Sequence, residues 1–469
     1  MNHQLSNDLA QLADLLEAAK QHGITYLSKL DTAKTASPLP AIVPDVLPED
    51  GIGAQSALQR FQEKYGPLIV AASGPRYWGY VTGGTTPAAM VGDWLATVID
   101  QNPQAIRGAG DISANIELQT VEMLLDLFQL SQGDFFGGFV TGATMSNFTC
   151  LGVARQWYGR KIGMDIARNG ITDTLHILSA TPHSSAIKVL SMLGVGSANV
   201  IEVKTLAGNR EAMDTTDLQQ KLIELNGQPA IVISSGGTVN TVDFDDFTAI
   251  ARLRQSHDFW WHIDAAFGGF AACSEQYRHL LTDWHQADSI TIDGHKWMNV
   301  PYESAMFFVK KKHSTLQRET FQNTNAPYLG NPLENFSYLN LLPENSRRLK
   351  ALPAWFSLQA YGREGYRDIV ENCIQLAQEL GRRIAASSSF KLLAPVRLNN
   401  ICFTLREFER DEEVQQFLDQ LNQAGQVFMT PTRYRGVPGI RCSLVNWRTT
   451  EKDIDLVFNE MNRIVKDRN

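Results

Sequence analysis

Leu5, Leu9, Leu12, Leu15 and Leu16 fall on one face at helical spacing, so the chain opens on an amphipathic helix with an apolar side to cover. A second subunit could supply that cover. The stretch 32–53 is rich in Pro, Ala and Asp without a sustained period, which predicts an extended connection over a surface. From about Pro87 to Leu352, short apolar runs alternate with longer helical segments, the pattern of strands in a largely parallel sheet. The predicted strands are Gly138–Thr141, Thr174–Ser179, Asn199–Val203, Ala230–Ser235, Phe259–Ile263, Ser289–Asp293 and Ala305–Lys310. Several are continuous apolar runs, as strands covered on both faces are. After Pro353 a helical stretch through Ile369, Cys373, Leu376, Leu380 and Ile384 leads to predicted strands at Ile401–Leu405, Val427–Met429 and Ile440–Val445. Helices at Glu413–Leu421 and Glu451–Val465 are interleaved with them. The expected fold class is α/β: an N-terminal arm over 1–86, a large lobe over 87–352 and a smaller α+β lobe over 353–469.

Composition narrows the class of partner. The chain of 469 residues is 43% hydrophobic and 20% charged, enough to bury a sizeable core in more than one lobe. A net charge of −8 gives no electrostatic reason to expect nucleic acid or an anionic membrane, which leaves small molecules as the default ligand. Five scattered cysteines, with no Cys-x-x-Cys, argue against a disulfide framework or a zinc site and fit a reducing compartment. Residues 1–20 carry no basic-then-apolar leader pattern, and no apolar run approaches the ~18 residues of a membrane span. The expected location is the cytoplasm.

Polar residues at strand ends carry the candidate chemistry. Lys296 follows Asp293-Gly294-His295 just past a short strand, at the carboxyl end where open α/β sheets bind ligands. A solvated loop lysine is the plain alternative. Asp264 closes the apolar run Phe259-Trp260-Trp261-His262-Ile263 and precedes two alanines, so its carboxylate sits in a tight space and needs a cationic partner. The protonated ring nitrogen of pyridoxal phosphate (PLP) is one such partner, and an N-cap is the competing role. The turn Thr141-Gly142-Ala143-Thr144-Met145-Ser146-Asn147 opens an apolar helix, where backbone N–H groups can cradle an anion or simply cap the helix. His183 and Gly236-Gly237-Thr238 also follow strands. Five strand ends of one sheet thus present an anion-binding turn, a histidine, a threonine, a carboxylate and a lysine.

At these residues the sequence resembles the group II PLP-dependent amino acid decarboxylases, the family of aromatic amino acid, glutamate, cysteine sulfinate and diaminobutyrate decarboxylases. The resemblance runs from about Arg76 to the C-terminus. It is carried by Arg76–Tyr80, Thr141–Asn147, Pro182–Ser185, Gly236–Thr238, Asp264–Ala266, Asp293–Trp297 and Ser346–Arg348. It implies the PLP-dependent transferase fold type I, with a mostly parallel seven-stranded sheet, and a homodimer whose active sites lie at the subunit interface. It also implies site roles. Lys296 would form the Schiff base with PLP, Asp264 would pair with the pyridine nitrogen and His183 would stack on the ring. Ala143, Thr144 and His295 would lie near the phosphate, and Thr238 beside the ring. Tyr328, in a Gly/Asn/Pro-rich stretch after the last large-lobe strand, would help protonate the intermediate once carbon dioxide leaves.

The implied reaction is α-decarboxylation of an L-amino acid to an amine. Two departures bear on it. Met145 cannot donate a side-chain hydrogen bond where many relatives place a hydroxyl or glycine. The segment Tyr80–Thr86 is neither the aromatic-rich nor the acidic-substrate version of the family's side-chain region, so the substrate stays open. Other PLP chemistry on the same scaffold, such as aminotransfer or carbon–carbon lysis, and PLP binding without turnover are the remaining alternatives.

Overall fold

The computed structural model describes residues 2–38, 44–106, 111–322, 336–408 and 410–468. The main sheet holds β1 (Phe135–Val140), β2 (Ile177–Ser179), β3 (Val200–Glu202), β4 (Ala230–Ser235), β5 (Phe259–Asp264), β6 (Ser289–Asp293) and β7 (Ala305–Lys310). Their spatial order is β1-β7-β6-β5-β4-β2-β3. Strands β2 to β6 pair in parallel, whereas β7 runs antiparallel to both of its neighbours, β6 and β1. Chain length explains the reversal. Residues 294–304 join β6 to β7, too few for the crossover helix that a parallel return needs. The other six strands therefore point one way and end on a common edge.

Alternation along the strands fills two cores, one on each face. In β5, Phe259, Trp261 and Ile263 enter one core and Trp260 the other; in β4, Val232 and the pair Ile231 and Ile233 divide in the same way. That two-sided burial is why these strands read as unbroken apolar runs.

The smaller sheet has the order β10-β11-β9-β8 and is antiparallel, from β8 (Phe390–Leu392), β9 (Asn400–Leu405), β10 (Thr430–Tyr434) and β11 (Val437–Ser443). The expected strand at Val427–Met429 gives way to β10, which starts three residues later. Phe428 instead bridges Tyr77 in parallel, its N–H donating to the Arg76 carbonyl, so the stretch pairs with the incoming N-terminal segment. Strand β8 was not expected, because three residues offer too little alternation to read.

One helix, Ala351–Ala386, serves both lobes. It is interrupted at Gly362, whose φ of 56° is available to glycine without strain, and it carries Leu352, Leu358, Val370 and Ile374 into the large-lobe core. A turn later, Leu376, Leu380 and Ile384 enter the small-lobe core. The expected lobe boundary at 353 falls within this helix. The N-terminal helix breaks at Gln11 into His3–Ala10 and Leu12–Leu27, and neither piece buries a residue in the isolated chain.

Strand β1 lies at the edge of the main sheet, and side chains cover its outer side. Glu117 accepts from the Phe139 N–H at 2.9 Å, Tyr338 donates to the Gly137 carbonyl at 3.2 Å, and Arg347 donates to the Phe139 carbonyl at 3.0 Å. Arg347 also grips both oxygens of Glu117, at 2.9 and 3.1 Å, with both residues buried. We expect Arg347→Met, which strands the Glu117 charge in the core, to destabilise the protein by about 3–5 kcal/mol in urea denaturation. Adding Glu117→Leu should recover part of that loss, because the stranded charge is then gone.

Candidate functional site

The common edge of the six co-directional strands gathers the predicted residues. After β1, the turn at Gly142 leads into the helix Ala143–Lys161, whose first turn has no side-chain cap, so its N–H groups face outward as anion donors. A side chain built at Gly142 would lie 3.6 Å from the His295 ring, which places that ring beside the turn. The His295 ring lies 4.8 Å from that of Tyr302 between centroids, tilted by 30°, and its buried Nδ1 has no partner among the described residues.

Lys296 sits in the loop from β6 to β7, where Nζ meets Asp293 Oδ2 at 2.8 Å while Asp293 Oδ1 is buried and has no partner among the described residues. Several ties fix this loop. The Gly294 and His295 N–H groups both donate to the Ser304 carbonyl, and Asn299 bonds the Trp297 and Val445 carbonyls at 2.8 and 3.0 Å. Gly83 presses on it from outside; a Cβ there would fall 1.7 Å from the Lys296 carbonyl oxygen, so only glycine fits.

Asp264 ends β5 with 9% of its surface exposed. Its carboxylate accepts from Asn147 Nδ2 at 3.0 Å and from the Ala266 N–H at 3.2 Å. Among the described residues no cation comes within ion-pair distance of it. His183 caps the helix Ser184–Met192, its Nδ1 accepting from the Ser185 N–H at 3.2 Å. Burial pushes the His183 pKa down, while the Asp264 charge raises it and those of Lys296 and Arg441 lower it, so these groups share one electrostatic neighbourhood. Burial likewise lowers His295. Both rings are therefore biased toward the neutral form.

Thr238 is placed differently. Its hydroxyl donates to the buried Glu211 at 2.6 Å and accepts from the Asp243 N–H at 2.9 Å, so its hydrogen-bonding capacity goes to the turn itself. Tyr328 lies outside the described residues. Three groups carried no assigned role in the sequence. Asn147 and His262 flank Asp264, and the signal for His262 was a polar residue two positions before Asp264, hence on the same strand face. Arg441, on β11, has no comparable signal, because only the folded chain brings it beside His183. Its guanidinium donates to the Val239 carbonyl and Asn240 Oδ1, both at 3.3 Å, and burial lowers its pKa.

These features suit PLP: a lysine amine, a buried carboxylate without a cation, a flat histidine and an uncapped helix end. The match to known proteins agrees. Residues 41–406 match the family described as the pyridoxal-dependent decarboxylase conserved domain. The chain belongs to that family. It is similar to an aromatic-L-amino-acid decarboxylase of Bacillus atrophaeus, 26% identical over 87% of this chain and 85% of that protein. It is also similar to an acidic amino acid decarboxylase of Bos taurus, 25% identical over 87% of this chain and 81% of the relative. The fold matches that of Oryza sativa TDC, solved with PLP and tryptamine, with a TM-score of 0.88, 18% identity and 98% of each chain covered. The protein is a PLP-dependent amino acid decarboxylase, a carboxy-lyase of fold type I.

The buried His262 gives the decarboxylase a readable pH response. Burial drops its pKa from 6.5 to about 4, so protonation favours the unfolded chain. The stability tied to neutral His262 is present above the unfolded value and is lost as pH falls through about 4. We expect the denaturation midpoint to decline over that window, and His262→Gln to flatten that part of the profile. An unaltered slope in the variant would refute the assignment.

Proposed function

We propose that the decarboxylase holds PLP across the strand ends, with Lys296 bonding the cofactor aldehyde and Asp264 facing the ring nitrogen. His183 would stack on the ring, Thr238 would sit beside it, and Ala143, Thr144 and His295 would lie near the phosphate. The observation that carries this reading is the Asp264 carboxylate, buried and hydrogen-bonded yet without a cation within ion-pair distance among the described side chains, in the same electrostatic neighbourhood as His183. A buried carboxylate in that setting calls for a positive partner, and a protonated ring nitrogen provides one.

When bound, PLP supplies an electron sink for the bond that breaks as the α-carboxylate leaves. The chain's own groups set up that event. Asp264 keeps the ring nitrogen protonated, and neutral His183 excludes water from one face. Lys296 Nζ, paired with Asp293 at 2.8 Å, would be the amine that holds the cofactor, and Asp293 would fix its position. Arg441, whose guanidinium bonds only the Val239 carbonyl and Asn240 Oδ1 among the described residues, is available to hold a substrate carboxylate. Tyr328 is our candidate for delivering the proton to the α-carbon, on the strength of its position in the sequence.

The substrate is an L-amino acid whose side chain we leave open. We propose a homodimer with the active site at the interface, because apolar side chains crowd the surface of the isolated chain. Leu5 and Leu9 are 63% and 64% exposed, and Val91, Trp94 and Val98 project from one side of the helix Pro87–Ile99. We also propose a cytoplasmic location and a three-part division at 1–86, 87–352 and 353–469; no helix among the described residues is long and apolar enough to cross a membrane.

Incubating the PLP-loaded protein with each common L-amino acid, and measuring carbon dioxide together with amine, identifies the substrate. In that assay Lys296→Ala should abolish the absorbance of lysine-bound PLP and cut turnover by about 10³-fold or more, and Asp264→Asn by about 10²–10³-fold. Turnover retained in Lys296→Ala would overturn the proposal. A monomeric mass in solution would overturn the dimer.

A further inference from the structure

His262 is a histidine with no exposed surface in the middle of an apolar strand, a placement that burial alone makes costly. Alternation along β5 puts Trp260, His262 and Asp264 on one face, the face covered by the helix Ala143–Lys161, and the parallel register sets His262 opposite Ser289 of β6. The polar atoms then connect in sequence. Trp260 Nε1 meets Ser289 Oγ at 3.0 Å, Ser289 Oγ meets His262 Nδ1 at 2.9 Å, and His262 Nε2 meets Asn147 Oδ1 at 2.9 Å. Asn147 Nδ2 closes the series on Asp264 Oδ2 at 3.0 Å.

The direction of every bond follows from the two ends. An ionised Asp264 can only accept, so Asn147 must turn its NH₂ toward it and its oxygen toward His262. That oxygen requires a proton on Nε2, and a neutral ring then has a lone pair on Nδ1 for the Ser289 hydroxyl proton. At the far end, the indole N–H can only donate, so Ser289 accepts from it. Burial, which favours the neutral ring, agrees with this tautomer. The second proton of Asn147 Nδ2 points at Ser185 Oγ at 3.4 Å, and Ser185 in turn lies 2.7 Å from His183 Nδ1.

We propose that His262 and Asn147 are positioning residues that fix the orientation of the Asp264 carboxylate toward the cofactor's ring nitrogen, through a one-way series of donors starting at Trp260. This inference rests on the reading of Asp264 given above. Two donors, Asn147 Nδ2 and the Ala266 N–H, then lock the two carboxylate oxygens separately, leaving the remaining lone pairs for the ring nitrogen.

The test compares the full-length protein with His262→Leu, His262→Gln, Asn147→Ala and Asp264→Asn, all refolded or expressed with PLP. The readouts are the PLP dissociation constant by equilibrium dialysis and the absorbance and circular-dichroism bands of the bound cofactor, with far-ultraviolet circular dichroism as the check on folding. His262→Leu and Asn147→Ala should each hold PLP about tenfold more weakly and alter the cofactor bands. His262→Gln keeps an N–H for Asn147 and should stay within about threefold of the parent. Asn147→Ala replaces a helical residue with the best helix former and keeps the experiment readable if His262→Leu does not fold. If Asn147→Ala binds PLP with parental affinity and bands while Asp264→Asn loses both, the positioning role is wrong and the reading of Asp264 stands. If Asp264→Asn itself matches the parent, the reading of Asp264 fails, and the inference with it.

Discussion

The site is organised around a carboxylate that the fold places where water is scarce. Asp264 ends a strand whose preceding residues are all buried, so its carboxylate depends on the donors that surround it. Much of the neighbouring architecture answers that requirement. The helix Ala143–Lys161 crosses the sheet face at the height needed to bring Asn147 to Asp264, and its uncapped start falls beside His295. A single helix therefore supplies a neutral donor for the carboxylate at one point and free N–H groups for an anion one turn earlier. The negatively charged group and the positive helix end lie at opposite ends of a short span, which matches a ligand with a cationic ring nitrogen and an anionic tail.

The lysine loop shows how a short connection can be precise. With too few residues for a helix, the chain between β6 and β7 has to double back at once, and the Gly294 and His295 N–H groups close the turn on the Ser304 carbonyl. Asn299 staples it to the Val445 strand end, and the Gly83 backbone closes over Lys296. The small lobe and the N-terminal segment thus contact the loop directly, so the position of Nζ depends on three separate stretches of chain.

Much of this was legible before folding was considered. The strands Ala230–Ser235, Ser289–Asp293 and Ala305–Lys310 match their predicted bounds, because burial on both faces produces unbroken apolar runs with abrupt polar ends. Those same abrupt ends mark Asp264 and Lys296. What escaped notice depends on distant chain. Val427–Met429 has the composition of a strand, but its partner is Arg76–Trp78, and no local pattern announces that pairing. Arg441 reads as one more polar residue of an alternating strand until the small lobe swings it beside His183. Thr238 has the residue type of a ligand-facing group, whereas its hydroxyl is committed to Glu211, a residue 27 positions earlier. Sequence shows which residues stand at strand ends; it does not show which of their polar atoms are already engaged.

Beyond its break at Gly362, the helix Ala351–Ala386 carries side chains of both lobes, handing over from Ile374 to Leu376 with no loop between them. Melting the small lobe would leave the far end of that helix without a surface to lie on, and melting the large lobe would do the same to its beginning. The lobes are thus thermodynamic neighbours rather than tenants of separate linkers, and the chain should lose its tertiary structure as one cooperative unit.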